Sequence, residues 1–250
     1  MSARRVWLFS VRTVKGVLRD SVNLFFGMAF PALLLWALSV IYRQVGQMPG
    51  ARAMSIGDLT ASIAAYAPVF LSLFSGMLLA KDRTSSFLAR LFVSSMTSAD
   101  FMFGYTVPML VVSLAQSLVT FLCAGLFGWH VSSRLLLGVV VVLPVALMYT
   151  AIGLLCGCVM SDRAVGGVCG AMLTTLAFIL SGVTVPLAIM GETFRRIVQA
   201  LPFYHATQAV VAALDGADGQ IWPHLWIVCL YALVCMAAAV AVFAWRRRER

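Results

Sequence analysis

The chain has 250 residues and a formal charge of +9, with 62% of its residues hydrophobic and only 11% charged. So apolar a composition excludes a water-soluble globular domain. The basic excess falls in short segments between long apolar runs, which makes it a topology signal with anionic lipid as its partner and argues against a nucleic-acid site.

Residues 1–20 predict an amphipathic helix lying in the membrane interface. Arg5, Arg12, Lys15 and Arg19 share one face, and Val6, Trp7, Val14, Val17 and Leu18 fall largely on the other. A plain basic flank that only sets topology is the alternative. Uncharged runs long enough to cross about 30 Å of hydrocarbon then predict six helical spans, at 22–42, 59–80, 101–128, 135–160, 164–185 and 224–245. None breaks into the short alternating segments of a membrane β-barrel, so the expected fold is an all-α integral membrane protein forming one domain over 1–250. The first apolar run starts late and reaches full spanning length, which predicts a retained span rather than a cleaved signal peptide. Pro31, Pro68 and Pro108 lie inside spans, where neighbours can resatisfy the backbone they disturb. Short connections at 129–134 and 161–163 make spans three, four and five antiparallel neighbours. Thirteen of the eighteen Lys and Arg residues fall on the side that holds both termini, so both termini are expected in the cytoplasm and the chain in the cell membrane. Between spans five and six, residues 186–221 contain two helical pieces too short to cross. They predict a re-entrant or interfacial hairpin on the outer side, or else a loop lying on that surface.

The chemistry available is sparse. All six cysteines fall inside apolar spans, and no histidine does, so no metal site is expected. Ser75-Gly76 and Ser181-Gly182 lack a neighbouring base, Asp215 and Asp218 read as a turn, and Glu192 with Arg195 and Arg196 reads as a solvated helix face. No catalytic constellation emerges. The strongest polar groups in the spans, Asn23 and Gln116, read as helix-packing hydrogen bonds. A proton-coupled carrier is disfavoured because the spans hold no ionisable group, although sodium sites built from backbone carbonyls stay open. Lys15 and Lys81 are the only lysines, and neither sits in a G-x-x-x-x-G-K-[ST] loop. The chain has no phosphate loop with which to hydrolyse ATP by itself.

One stretch breaks the apolar pattern: "KDRTSSFLARLFVSSMTSADFMFGY", residues 81–105. Phe87 and Leu91, and Leu88 and Phe92, repeat at i and i+4, so a short helix over Ser85–Val93 presents aliphatic and aromatic knobs beside Arg90. That shape suits docking into a groove on another protein; a helix lying flat on the bilayer is the alternative. The stretch resembles the cytoplasmic loop after the second span of type-2 ABC transporter permeases. The resemblance rests on Lys81-Asp82-Arg83, the small pair Ser85-Ser86, Phe87-Leu88 with Arg90-Leu91, and Asp100 before Gly104. "LSGVTVPLAIM" and "LPFYHATQAV", residues 180–190 and 201–210, are similar to the family's later Ser-Gly, Pro and Pro-aromatic features. Ser85-Ser86 replaces the usual Gly-Thr, Ser95 stands where proline is common, and Leu201 precedes Pro202 where asparagine is frequent.

What the resemblance implies is an ATP-driven exporter permease. It implies a coupling loop over 81–100, with Ser86, Phe87, Leu88, Arg90, Leu91 and Phe92 meeting the ATPase. It implies two copies of a separate ABC ATPase and a second permease, identical or closely related. The chain itself would carry no cofactor; ATP and Mg2+ would be bound by the partner ATPase. Spans one, two and five would line the substrate path, with Phe26, Phe30, Tyr66, Phe70, Phe74 and Phe178 as contacts. An uncharged path rich in Phe and Met suits an amphipathic or hydrophobic drug or antibiotic. A lipid-linked glycan or polysaccharide is the second substrate class, and a gradient-driven carrier and a membrane enzyme are the readings outside this class.

Overall fold

The computed structural model describes residues 3–19, 25–45, 55–84, 97–129, 133–181 and 191–248, and among these the regular structure is helical throughout. Six stretches are long and apolar enough to cross a bilayer: Phe25–Gln44, Ile56–Thr84, Ser98–Leu126, Leu135–Val159, Asp162–Leu180 and Asp218–Arg247, numbered here as spans one to six. The all-α membrane fold expected from the sequence is the one observed. Span two is the core: 83% of its most apolar stretch is buried, against 22% for each of spans one and six, which form the rim.

Span four packs most extensively against spans two and six. Its contact with span two is made by backbone. A Cβ on Gly153 would stand 2.1 Å from the Ser72 carbonyl oxygen, one on Gly76 2.6 Å from that of Gly153, and one on Gly157 2.5 Å from that of Gly76. Lipid tails are as apolar as leucine, so helices in a bilayer associate through close contact rather than by escaping water. Ser72 and Gly76 on one helix, Gly153 and Gly157 on the other, repeat at i and i+4 and let the two backbones touch. Ser75 Oγ crosses the seam to the Thr150 carbonyl at 3.3 Å.

Pro68 breaks span two into Ile56–Tyr66 and Val69–Thr84. At the break, Gln116 Nε2 of span three donates to the Ala67 carbonyl at 3.1 Å. This is the helix-packing hydrogen bond expected of Gln116, and it ties span three to span two at the break.

The N-terminal helix and the end of span six lie at one end of the bundle. Arg246 donates to the Val159 carbonyl at 3.3 Å, and the N-terminal helix Ala3–Arg19 packs on the start of span three. That helix turns Phe9, Ser10, Thr13 and Val17 inward. Phe9 stands edge-on to Tyr105 with ring centroids 4.9 Å apart and covers Gly104, whose missing side chain makes room for the ring. Trp7, expected with the apolar face, is 64% exposed instead. The arc that faces the protein is therefore not simply the most apolar one.

At the opposite end, Asp218 at the start of span six pairs with Arg134 at the start of span four. Two helices, Glu192–Ala200 and Pro202–Asp215, meet there at a 77° bend. The bend sits at Leu201, held extended (φ −92°, ψ 148°) as a residue before proline prefers, while Pro202 opens the next helix without wasting an N–H. The first helix lies outside, with only Val198 buried. The second is inserted: His205, Ala209, Ala213 and their neighbours are buried against spans two, four and six. Gly216, at φ 84°, ends the second helix in the left-handed turn that glycine permits, which is the turn expected around Asp215 and Asp218.

Candidate functional site

The six aromatic residues singled out on spans one, two and five meet in one cluster. Phe30 and Phe26 stand 5.2 Å and 5.5 Å from Phe70, Tyr66 lies 6.3 Å from Phe70 and 5.4 Å from Phe178, all centroid to centroid. Phe74 packs against Gly27, where a Cβ would be 3.7 Å from its ring. Tyr66, Phe70 and Phe74 are buried, whereas Phe26, Phe30 and Phe178 are half-buried at the edge of the same cluster. Most of the pairs are edge-to-face or tilted, the arrangement in which ring quadrupoles attract; each is worth about 0.5–1.5 kcal/mol beyond the area it buries. Among the described residues, the rings pack with apolar neighbours such as Val69, Met109 and Val112. The polar group of the six is the Tyr66 hydroxyl, which donates to the Thr174 carbonyl at 3.4 Å.

The helices that carry these rings are irregular on both flanks. Span one opens in a π-helix over Phe25–Ala29, and span five contains another over Gly166–Leu173, directly before Thr174. Such segments are rare and gather where a helix must be re-aimed or must shift.

A second group of residues sits at the same end of the bundle as the N-terminal helix. Ser86, Phe87, Leu88, Arg90, Leu91 and Phe92 lie outside the described residues, but both flanks of their segment are defined. On one flank, the Tyr105 hydroxyl donates to Asp82 Oδ2 at 2.8 Å, with Arg12 Nη1 at 3.9 Å. Arg83 donates to the Met160 carbonyl at 2.7 Å and also to that of Cys158. The last carbonyls of a helix have no N–H partner in their own helix, so the guanidinium completes span four while tying span two to it. On the other flank, Thr97 and Asp100 close a capping box: the Asp100 N–H donates to Thr97 Oγ1 at 3.2 Å, and the Thr97 N–H to Asp100 Oδ2 at 3.0 Å. Asp82, Arg83 and Asp100, three of the charged residues that carry the sequence resemblance, thus anchor the segment's two ends.

Sequence reasoning missed a histidine pair. Span six begins at Asp218, where the chain restarts after Gly216, so His224 lies within a spanning helix, contrary to the expectation that no histidine does. Its Nδ1 is 2.8 Å from Nδ1 of His205, while His205 Nε2 donates to the Gln199 carbonyl, also at 2.8 Å. Because a carbonyl only accepts, Nε2 of His205 carries the hydrogen and its Nδ1 accepts from His224. The pair fastens the inserted helix to span six. At the far end of the inserted helix, burial pushes the Asp215 carboxyl above its ordinary range, and the charge of Asp58 adds to the shift. The sole sequence signal for the pair was two histidines flanking a turn.

Residues 24–241 match the model of a family described as ABC-2 family transporter protein. No curated protein sequence matches the chain.

Proposed function

Because this chain belongs to the ABC-2 family of transporter proteins, and is therefore an ABC transporter permease subunit, we propose that it moves an amphipathic or hydrophobic compound, a drug or antibiotic, out of the cell. The observation that carries the substrate class is the aromatic cluster between spans one, two and five, flanked by the two π-helical segments. Rings that pack by several weak contacts separate at modest cost and accept an apolar guest in place of one another. A second permease, a copy of this chain or a close relative, completes the path. Two separate ATPases bind ATP and Mg2+ on the side that holds both termini, which is the cytoplasm of a cell-membrane protein.

In this reading Phe87, Leu88, Leu91 and Phe92, with Ser86 and Arg90 beside them, form the coupling helix. Its motion passes into span two at Thr84, and the Arg83 contacts carry it into span four, so the two helices move as one body. Spans one and five, joined to span two through side chains rather than backbone, are then displaced relative to that body, and the path opens.

The test is co-purification of the ATPase with this chain and with its variants, alongside ATP-dependent transport in vesicles. Phe87→Asp and Leu91→Asp each place a carboxylate in an apolar contact, so ATPase capture and transport should both collapse. Arg90→Ala should cost little, since a rim charge is worth at most about 1 kcal/mol. Wild-type capture and transport by both aspartate variants would sink the coupling role. Failure of every amphipathic compound to stimulate ATP hydrolysis by the intact complex would sink the substrate class.

A further inference from the structure

Between the N-terminal helix and the end of span two lies a cavity of about 460 Å³, walled on one side by Val11, Arg12, Lys15 and Gly16 and on the other by Leu78 and Asp82. This volume falls within the range of small-molecule sites, roughly 300–1,000 Å³. Arg12 and Lys15 stand three residues apart, neighbours on the helix surface, and both are exposed. Facing them, Asp82 is engaged: its side chain is 14% exposed, accepts from Tyr105 and faces Arg12 at 3.9 Å. One carboxylate against two cations leaves the cavity positive. Deeper in, Leu78 and Val11 supply an apolar wall.

A positive rim over an apolar floor, beside an amphipathic helix at the edge of a spanning bundle, matches one kind of occupant. We propose that this cavity binds the phosphate headgroup of an anionic phospholipid of the bilayer, with Arg12 and Lys15 at the phosphate and Val11 and Leu78 along the first methylenes of its chains. The lipid would join the N-terminal helix to span two, which also meet here through the Arg12–Asp82 pair. Gly16 keeps the mouth wide: a Cβ added there meets nothing within 4 Å.

The site is independent of what the protein transports, and its test uses lipid binding rather than transport. The purified chain is titrated in detergent with phosphatidylglycerol or phosphatidylcholine, and bound lipid is counted by native mass spectrometry. Wild type should retain phosphatidylglycerol in preference to phosphatidylcholine. Lys15→Gln should weaken that retention about fivefold, the effect of one basic residue near a membrane surface. Gly16→Leu keeps every charge but extends an apolar side chain into the cavity, and should weaken the preference. Neither residue is buried, and the melting temperature of each variant, read on the same preparation, should match wild type. Unchanged phosphatidylglycerol retention in both variants would overturn the proposal. Removal of the phosphatidylglycerol preference by millimolar inorganic phosphate would also overturn it, by making the site one for small anions.

Discussion

Span two takes part in two contacts of opposite character. Along one face it meets span four through backbone, with Gly76, Gly153 and Gly157 so close that no side chain fits between. Along another it meets spans one and five through side chains, with Phe70 and Tyr66 touching Phe26, Phe30 and Phe178, Leu59 and Ile63 meeting Leu35, and Ala80 meeting Val165 and Cys169. A backbone seam has no rotamers with which to adapt, whereas a ring cluster can rearrange one side chain at a time. The same helix is thus locked on one side and compliant on the other. A moving bundle needs that division: a fixed pair of helices against which other helices can shift.

The contrast breaks most visibly at the seam. Gly153→Leu forces spans two and four apart, and overpacking against backbone should cost more than about 3 kcal/mol, with loss of a monodisperse peak in fluorescence-detected gel filtration. A variant that purifies and melts like wild type would show that the seam is not rigid. Next in size is Arg83→Ala, which strips two carbonyls of span four of their donor. A drop of about 1–3 kcal/mol is expected, read as a lowered melting temperature of the purified chain.

On the compliant side, Phe70→Leu keeps most of the volume, and stability should change by less than about 1.5 kcal/mol. The order in which different compounds stimulate ATP hydrolysis by the complex should change instead; an unaltered order would detach the cluster from substrate choice. Smallest of all is Arg196→Ala. Its ion pair with Glu192 joins side chains 76% and 78% exposed, so the loss should stay within about 0.5 kcal/mol, inside the error of a melting curve. A larger effect would mean that the outer helix of the hairpin is held by more than its bend.

The six spans were legible because a bilayer demands some twenty apolar residues in a row, a pattern that survives without knowledge of partners. The rings named on spans one, two and five do lie together. The π-helical segments beside them were not legible: a π-helix leaves no hydrophobic period distinct from that of an α-helix in a uniformly apolar run. The seam was illegible for a related reason. Gly76, Gly153 and Gly157 are three of nineteen glycines, and only the fold says which pairs face each other. Trp7 shows the limit most clearly. In water the apolar arc of a helix turns to the protein, but at a membrane the lipid is equally apolar, so Ser10 and Thr13 can face inward while tryptophan faces out.

The bend at Leu201 also governs parity. Run straight, Glu192–Ala200 and Pro202–Asp215 would make a rod long enough to cross the membrane, and the chain would cross seven times rather than six. An odd number of crossings would put the arginine-rich tail after span six on the opposite side from the N-terminal helix, and the contact between Arg246 and Val159 could not form. Because the chain turns back, the count stays even and both basic ends share one side. The sidedness of everything after span five therefore hangs on the local conformation of one residue, held extended by the proline that follows it.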